Sequence, residues 1–163
     1  MEQKNPMSLP KIRHKSFTYE TDLNWQGGRT AILGSPGKPE FRVTSPPEFK
    51  GEEGTWTPEE LFVAAIDICT MTTFMAFAQH QNLPVISYES HAAGFLEFVD
   101  GKYQFTKVVL KPSIKVGAEA AVDQAEKMVA DAHRSCLVAN SVRAFVVVEP
   151  VIAVVEDGDI GMV

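Results

Sequence analysis

The chain of 163 residues has two cysteines, Cys69 and Cys136, and thiols are the side chains here with the widest chemical reach. A deprotonated cysteine is a nucleophile, and a second thiol nearby can condense with it once it is oxidised. A chain this long can bury a core without disulfide staples, so neither cysteine is needed as a cross-link. Each also has a plainer reading, because a single cysteine in an apolar segment is most often a packing residue. His133 lies three residues before Cys136 and invites a metal reading. A zinc site wants three or four ligands at tight spacing, and neither His80 nor His133 has the companions, so no metal is expected. Asp67 is an isolated charge in an apolar run, two residues before Cys69 and so on a different face of a helix. It is expected to pair across an interface or to face a wet cavity. Gly27-Gly28 lacks the glycine spacing of a phosphate loop and reads as a turn.

The elements that must position these residues follow from periodicity and punctuation. Phe17, Tyr19, Thr21 and Leu23 alternate in a strand-like pattern from Lys15 to Trp25. Gln26-Gly27-Gly28 turns the chain, and Arg29 opens a second strand over 30–33. A third short strand is expected around 41–43. Residues 45–54 hold too much Pro and Gly for a regular element and suit a surface loop that lids a pocket. Thr57-Pro58-Glu59-Glu60 is a capping box with proline at the first helical position, so a helix should run from there to about Gln81. Its apolar residues lie on nearly every side, which places it in a core or between subunits. Ile66, Ile68, Met71, Phe74, Met75 and Phe77 surround Cys69 and are expected to line an apolar pocket. Strands over 85–98 and 103–116 should form a hairpin at Asp100-Gly101. Pro112 suggests an edge or a bulge in the second of them. A second helix over 118–134 carries the stripe Ala121, Val122, Ala125, Met128, Val129 and Ala132. A last strand covers 141–155. The fold class is α+β, with residues 1–14 a flexible leader, 15–155 one domain and 156–163 a tail.

Bulk properties exclude some classes. The formal net charge is −6, which argues against a nucleic-acid partner. The basic cluster Lys11, Arg13, His14 and Lys15 is too short to be more than a solvated leader. The start of the chain has no apolar stretch to serve as a signal peptide, and no uninterrupted apolar run of membrane-spanning length occurs. The expected location is therefore the cytoplasm, with no membrane partner.

Three segments, in this order, resemble the OsmC/Ohr superfamily. They are Trp25-Gln26-Gly27-Gly28-Arg29, then Thr57-Pro58-Glu59-Glu60-Leu61-Phe62-Val63-Ala64-Ala65 leading into Cys69, then Cys136-Leu137-Val138-Ala139-Asn140-Ser141. With the order of elements, the resemblance covers roughly residues 15–150. It implies an antiparallel sheet wrapped around two central helices in an intertwined homodimer, with two active sites at the dimer interface. It also implies that Cys69 is the peroxidatic cysteine, Cys136 the resolving one, Arg29 the site arginine and Glu59 the site glutamate. The implied substrates are organic or fatty-acid hydroperoxides. No bound cofactor is implied, only an external thiol or lipoyl reductant such as dihydrolipoamide. The chain departs from the best-studied branches at Leu137, where they usually have proline, and around Pro46-Pro47.

The roles make chemical sense. A thiol with an ordinary pKa near 8.5 is a poor nucleophile at neutral pH, and an apolar pocket raises that pKa further unless a charge is close. Arg29 would supply a permanent cation, and Glu59 would orient it through paired hydrogen bonds. Glu59 and Cys69 are ten residues apart, about 15 Å along a straight helix. They can meet only if the helix breaks or if Glu59 comes from a second chain. Two other readings of the same fold compete: a binding or sensing protein that holds a small hydrophobic ligand without turnover, and a thiol enzyme acting on a thioester or disulfide.

Overall fold

The computed structural model describes residues 15–155. Three short strands, β1 (Asp22–Gly27), β2 (Thr30–Gly34) and β3 (Phe41–Thr44), form an antiparallel sheet in that order. Helix α1 (Pro58–His80) follows, then the long hairpin β4 (Val85–Val99) and β5 (Lys102–Val116). Helix α2 (Val122–Ser135) precedes the short strands β6 (Phe145–Val148) and β7 (Val151–Val154). The fold is α+β with two sheets rather than one. The second is mixed, since β5 pairs antiparallel with β4 but parallel with both β6 and β7.

Local chemistry accounts for the boundaries. Glu60 N–H donates to Thr57 Oγ1 at 3.2 Å while Glu60 Oε2 accepts from Thr57 N–H at 2.9 Å, so the expected capping box is formed. Asp100 and Gly101 both have positive φ, as a tight type I′ hairpin turn requires. The apolar stripe of α2 is buried from Ala121 to Ala132, with Val122 at its edge. It packs with Phe74 and Ala78 of α1 against Ile114 and Val116 of β5. A second cluster joins Ile66, Val108, Leu110 and Val146.

Several expectations need correction. Residues 15–21 are not a strand, and Phe17 and Tyr19 stand exposed beside the exposed Leu23 and Trp25 of β1. The last strand is two strands, because Pro150 interrupts the ladder. Pro112 is neither at an edge nor at a bulge. It lies in the central strand β5 opposite Ser90, in the gap between the stretch paired to β6 and the stretch paired to β7, where no partner needs its missing N–H. Within this chain α1 is not buried all round: its buried residues are the single stripe Ile66, Thr70, Phe74 and Ala78. By length and mean hydropathy α1 also qualifies as a membrane-crossing helix, although it holds no uninterrupted apolar run of that length. Asp67 and the threonines break that run without much lowering the average. The leader, including Lys11, Arg13 and His14, and the tail lie outside the described residues.

Gly94 sets how closely α1 lies on β4. A Cβ added there would stand 2.5 Å from Val63 Cγ2 and 2.7 Å from Phe105 Cε1. Gly94→Ala is expected to destabilise the fold by about 1–3 kcal/mol through overpacking. Urea unfolding should show a lower midpoint with an unchanged slope.

Candidate thiol site

Cys69 lies in the fourth turn of α1, and Cys136 caps the C-terminal end of α2. The packing of the two helices brings the two thiols close enough for each to shift the other's pKa. Both cysteines are free; Cys136 is fully buried and Cys69 partly exposed. Around them Thr70 Oγ1 lies 3.6 Å from Cys136 Sγ, and Ala139 N–H donates to the same sulfur at 3.4 Å. Thr73 is one helical turn beyond Cys69; its hydroxyl donates to the Cys69 carbonyl at 2.8 Å and also acts on the sulfur.

The electrostatics separate the two thiols. Burial alone would push Cys69 up. The N–H of Val138, the thiol of Cys136, the N–H of Leu137 and the hydroxyl of Thr73 outweigh it, and Cys69 falls below the ordinary thiol range. For Cys136 burial dominates. The Ala139 N–H opposes it, but the neighbouring Cys69 raises the pKa further, and Cys136 ends above the ordinary range. Cys69 is thus the more acidic of the two thiols and Cys136 the less acidic. Sequence reasoning found both sulfurs but missed Thr70, Thr73 and the amides of 137–139. The spacing of Thr73, four residues after Cys69 on the same helix face, was the available signal.

Glu59 and Arg29 are not drawn to the sulfur in this chain. Helix α1 is continuous from Pro58 to His80, so the broken-helix route for Glu59 is closed. Glu59 is half-buried, and its Oε2 has no hydrogen-bond partner among the described residues. Arg29 is exposed at the β1–β2 turn and donates to the Phe49 carbonyl. Arg42, not Arg29, makes the ion pair of this region, to Glu52 at 2.8 Å.

A groove of about 860 Å³ opens between the 46–56 loop, α1 and β4–β5. Pro46, Pro47 and Phe49 form its lid, as expected of that loop, and Glu59, Val63 and Phe105 are in its walls. Phe49 packs edge-on against Tyr103 with ring centres 5.7 Å apart, which fastens the lid to the hairpin. Asp67 reaches this groove and a second one of about 460 Å³, accepting a hydrogen bond from Ser90 Oγ at 2.7 Å. Burial and the Asp67 charge push Tyr88 up to about 12. The apolar residues expected around Cys69 are divided. Ile68, Met71 and Met75 line the second groove, while Ile66 and Phe74 are core, and neither groove includes Cys69. Asp67 and Cys69 differ by about 200° around the helix, so at Asp67 both grooves lie on the face away from the sulfur. No cluster of three or more potential metal ligands occurs among the described residues.

Comparison with known proteins gives a consistent picture. The family model for OsmC-like proteins matches residues 51–150. An OsmC-like protein of unknown function from Vibrio cholerae has a similar structure, with TM-score 0.77 and 29% identity over 83% of this chain and 100% of that one. An organic hydroperoxide resistance protein OsmC from Legionella pneumophila is similar with TM-score 0.67 and 25% identity, over 88% of this chain and 100% of that one. An organic hydroperoxide resistance protein from Elizabethkingia anophelis, at 20% identity and TM-score 0.67, shares the fold over 89% of this chain and 100% of its own. None of the curated proteins matches.

The opposite pKa directions fix an expected order of reactivity. As pH rises, Cys69 should become a thiolate at a pH below that of an ordinary thiol, and Cys136 at one above it. Iodoacetamide at pH 7 is therefore expected to label Cys69 well before Cys136, as read by peptide mass mapping; equal labelling would contradict the asymmetry.

Proposed function

This chain belongs to the OsmC-like protein family, and from that premise we propose that it is a cytoplasmic, thiol-dependent peroxidase reducing organic hydroperoxides. The observation that carries the reading is the packing of α1 against α2 that sets Cys69, its pKa lowered, beside the buried Cys136, its pKa raised, with Thr70 next to Cys69 lying 3.6 Å from the Cys136 sulfur. The Cys69 thiolate attacks the terminal peroxide oxygen; an S–O bond forms, the O–O bond breaks, and the alkoxide takes up a proton and leaves as the alcohol. Sulfur is oxidised by two electrons to the sulfenic acid. The Cys136 sulfur then attacks it, an S–S bond forms and water leaves. An external dithiol, for which dihydrolipoamide is our candidate, returns two electrons and two protons and is itself oxidised to its disulfide. No bound cofactor is invoked.

The remaining roles require a second chain. A carboxylate about 15 Å along a continuous helix from the sulfur cannot serve its own site. The unpartnered Glu59 oxygen, the part-exposed faces of α1 and the bare aromatics of the β1 arm all support an intertwined homodimer. In it Arg29 supplies the cation at Cys69, and Glu59 orients that arginine. The apolar grooves favour a hydrophobic peroxide over hydrogen peroxide.

Several measurements test this. Cumene hydroperoxide is expected to consume two thiols per chain, faster than hydrogen peroxide does. Cys69→Ser should abolish turnover, and Cys136→Ser should leave a sulfenic acid that dimedone traps. If both thiols survive the peroxide while a small hydrophobic molecule co-purifies, the ligand-binding reading takes over. Sedimentation should give a species of twice the chain mass, and Arg29→Ala should slow thiol loss by at least about tenfold; a monomer with undiminished activity would exclude the shared site.

A further inference from the structure

Three groups act on the Cys69 sulfur besides Thr73, and two of them are backbone amides of the turn that follows α2. That turn is tied down from its carbonyl side. The Cys136 carbonyl accepts from Asn140 N–H at 3.0 Å, and the Val138 carbonyl from Ser141 N–H at 2.9 Å. The Leu137 carbonyl accepts from Ser141 Oγ at 2.7 Å, and Asn140 Nδ2 reaches back to the Arg134 carbonyl at 2.9 Å. With its carbonyls turned toward 140–141, the turn presents the N–H groups of 137–139 in the opposite direction, toward the two sulfurs. Ala139 N–H is on Cys136 Sγ at 3.4 Å. Leu137 and Val138 N–H have no backbone acceptor among the described residues and face Cys69. Successive amides aimed at one point form a concavity suited to an anion.

We propose that the backbone amides of Leu137 and Val138 form a cradle that holds Cys69 as the thiolate, so that the turn 136–141 activates the nucleophile from within the same chain. The inference deepens the peroxidase reading and assigns to the main chain a role separate from that of Arg29. Arg29 comes from another chain in that reading and can orient the peroxide, while the amides stabilise the sulfur before any substrate or second chain arrives. Residue 137 matters for its N–H and not for its side chain, which is 76% exposed.

The test does not use peroxide, so it can fail or succeed independently of the catalytic reading. In the reduced wild-type protein, the amide resonances of Leu137 and Val138 are expected to shift with pH at the same midpoint as alkylation of Cys69. In Cys69→Ser those shifts should vanish. Leu137→Pro removes one donor, and below the wild-type midpoint it should slow Cys69 alkylation by about tenfold, the effect of losing one charge-assisted hydrogen bond. Leu137→Ala keeps the N–H and should alkylate like wild type. If Leu137→Pro does not fold, the resonance titration in the wild-type protein still decides. Amides that stay unmoved through the Cys69 titration would overturn the cradle, as would a folded Leu137→Pro with an unchanged alkylation profile.

Discussion

Helix α1 is held to the rest of the chain along one stripe, Ile66, Thr70, Phe74 and Ala78, and that stripe decides where every other residue of the helix points. With Ile66 and Phe74 locked in the two core clusters, Cys69 is turned toward the end of α2. Asp67 is turned toward β4, where Ser90 meets it. The absence of a side chain at Gly94 sets the spacing on the β4 side, and the small residues Ala125 and Ala132 are part of the packed face of α2. The chemistry of the sulfur is thus a consequence of core packing. A rotation of α1 by one residue, about 100°, would take Cys69 away from Cys136 altogether.

The two sulfurs then differ because the same burial acts on unequal company. Desolvation raises both thiols, but Cys69 faces several donors and Cys136 mainly one amide and one hydroxyl. The contact between them adds to the difference: the proton that leaves Cys69 strengthens the hold of Cys136 on its own. A buried thiol in an apolar core would be inert on its own. Here the tightly bonded turn after α2 delivers its polar groups at the one point where α1 needs them.

Much of this was legible in the sequence, and the reasons are particular. The capping box at Thr57 and the Asp100-Gly101 turn are local devices whose effect does not depend on the rest of the fold, and both formed where expected. The α2 stripe was readable because its polar face is continuous. The pattern of α1 was not, because a helix apolar on nearly all sides gives no direction to its buried face. Ile68, Met71 and Met75 are close to Cys69 in sequence but point into the second groove, because nearness along a helix does not make a shared face. Pro112 was misplaced because its meaning depends on β6 and β7 pairing with separate stretches of β5, which is a long-range fact. The Leu137 and Val138 amides left no mark in the sequence, since any residue but proline carries an N–H.

The geometry also limits where an apolar substrate can rest. The groove under the 46–56 loop is the largest space this chain offers among those described, and its walls of Val63 and Phe105 suit a hydrocarbon. Around Asp67, however, it lies on the side of α1 away from Cys69, with a helix about 10 Å across in between. A peroxide lodged beside Asp67 could not place its oxygen on the sulfur of the same chain. The groove can serve catalysis only if another chain brings its own sulfur to it, and the unpartnered Glu59 oxygen lies in that same groove. The direction of Cys69, the length of α1 and the unmet carboxylate are separate observations, and the second chain proposed above would answer all three.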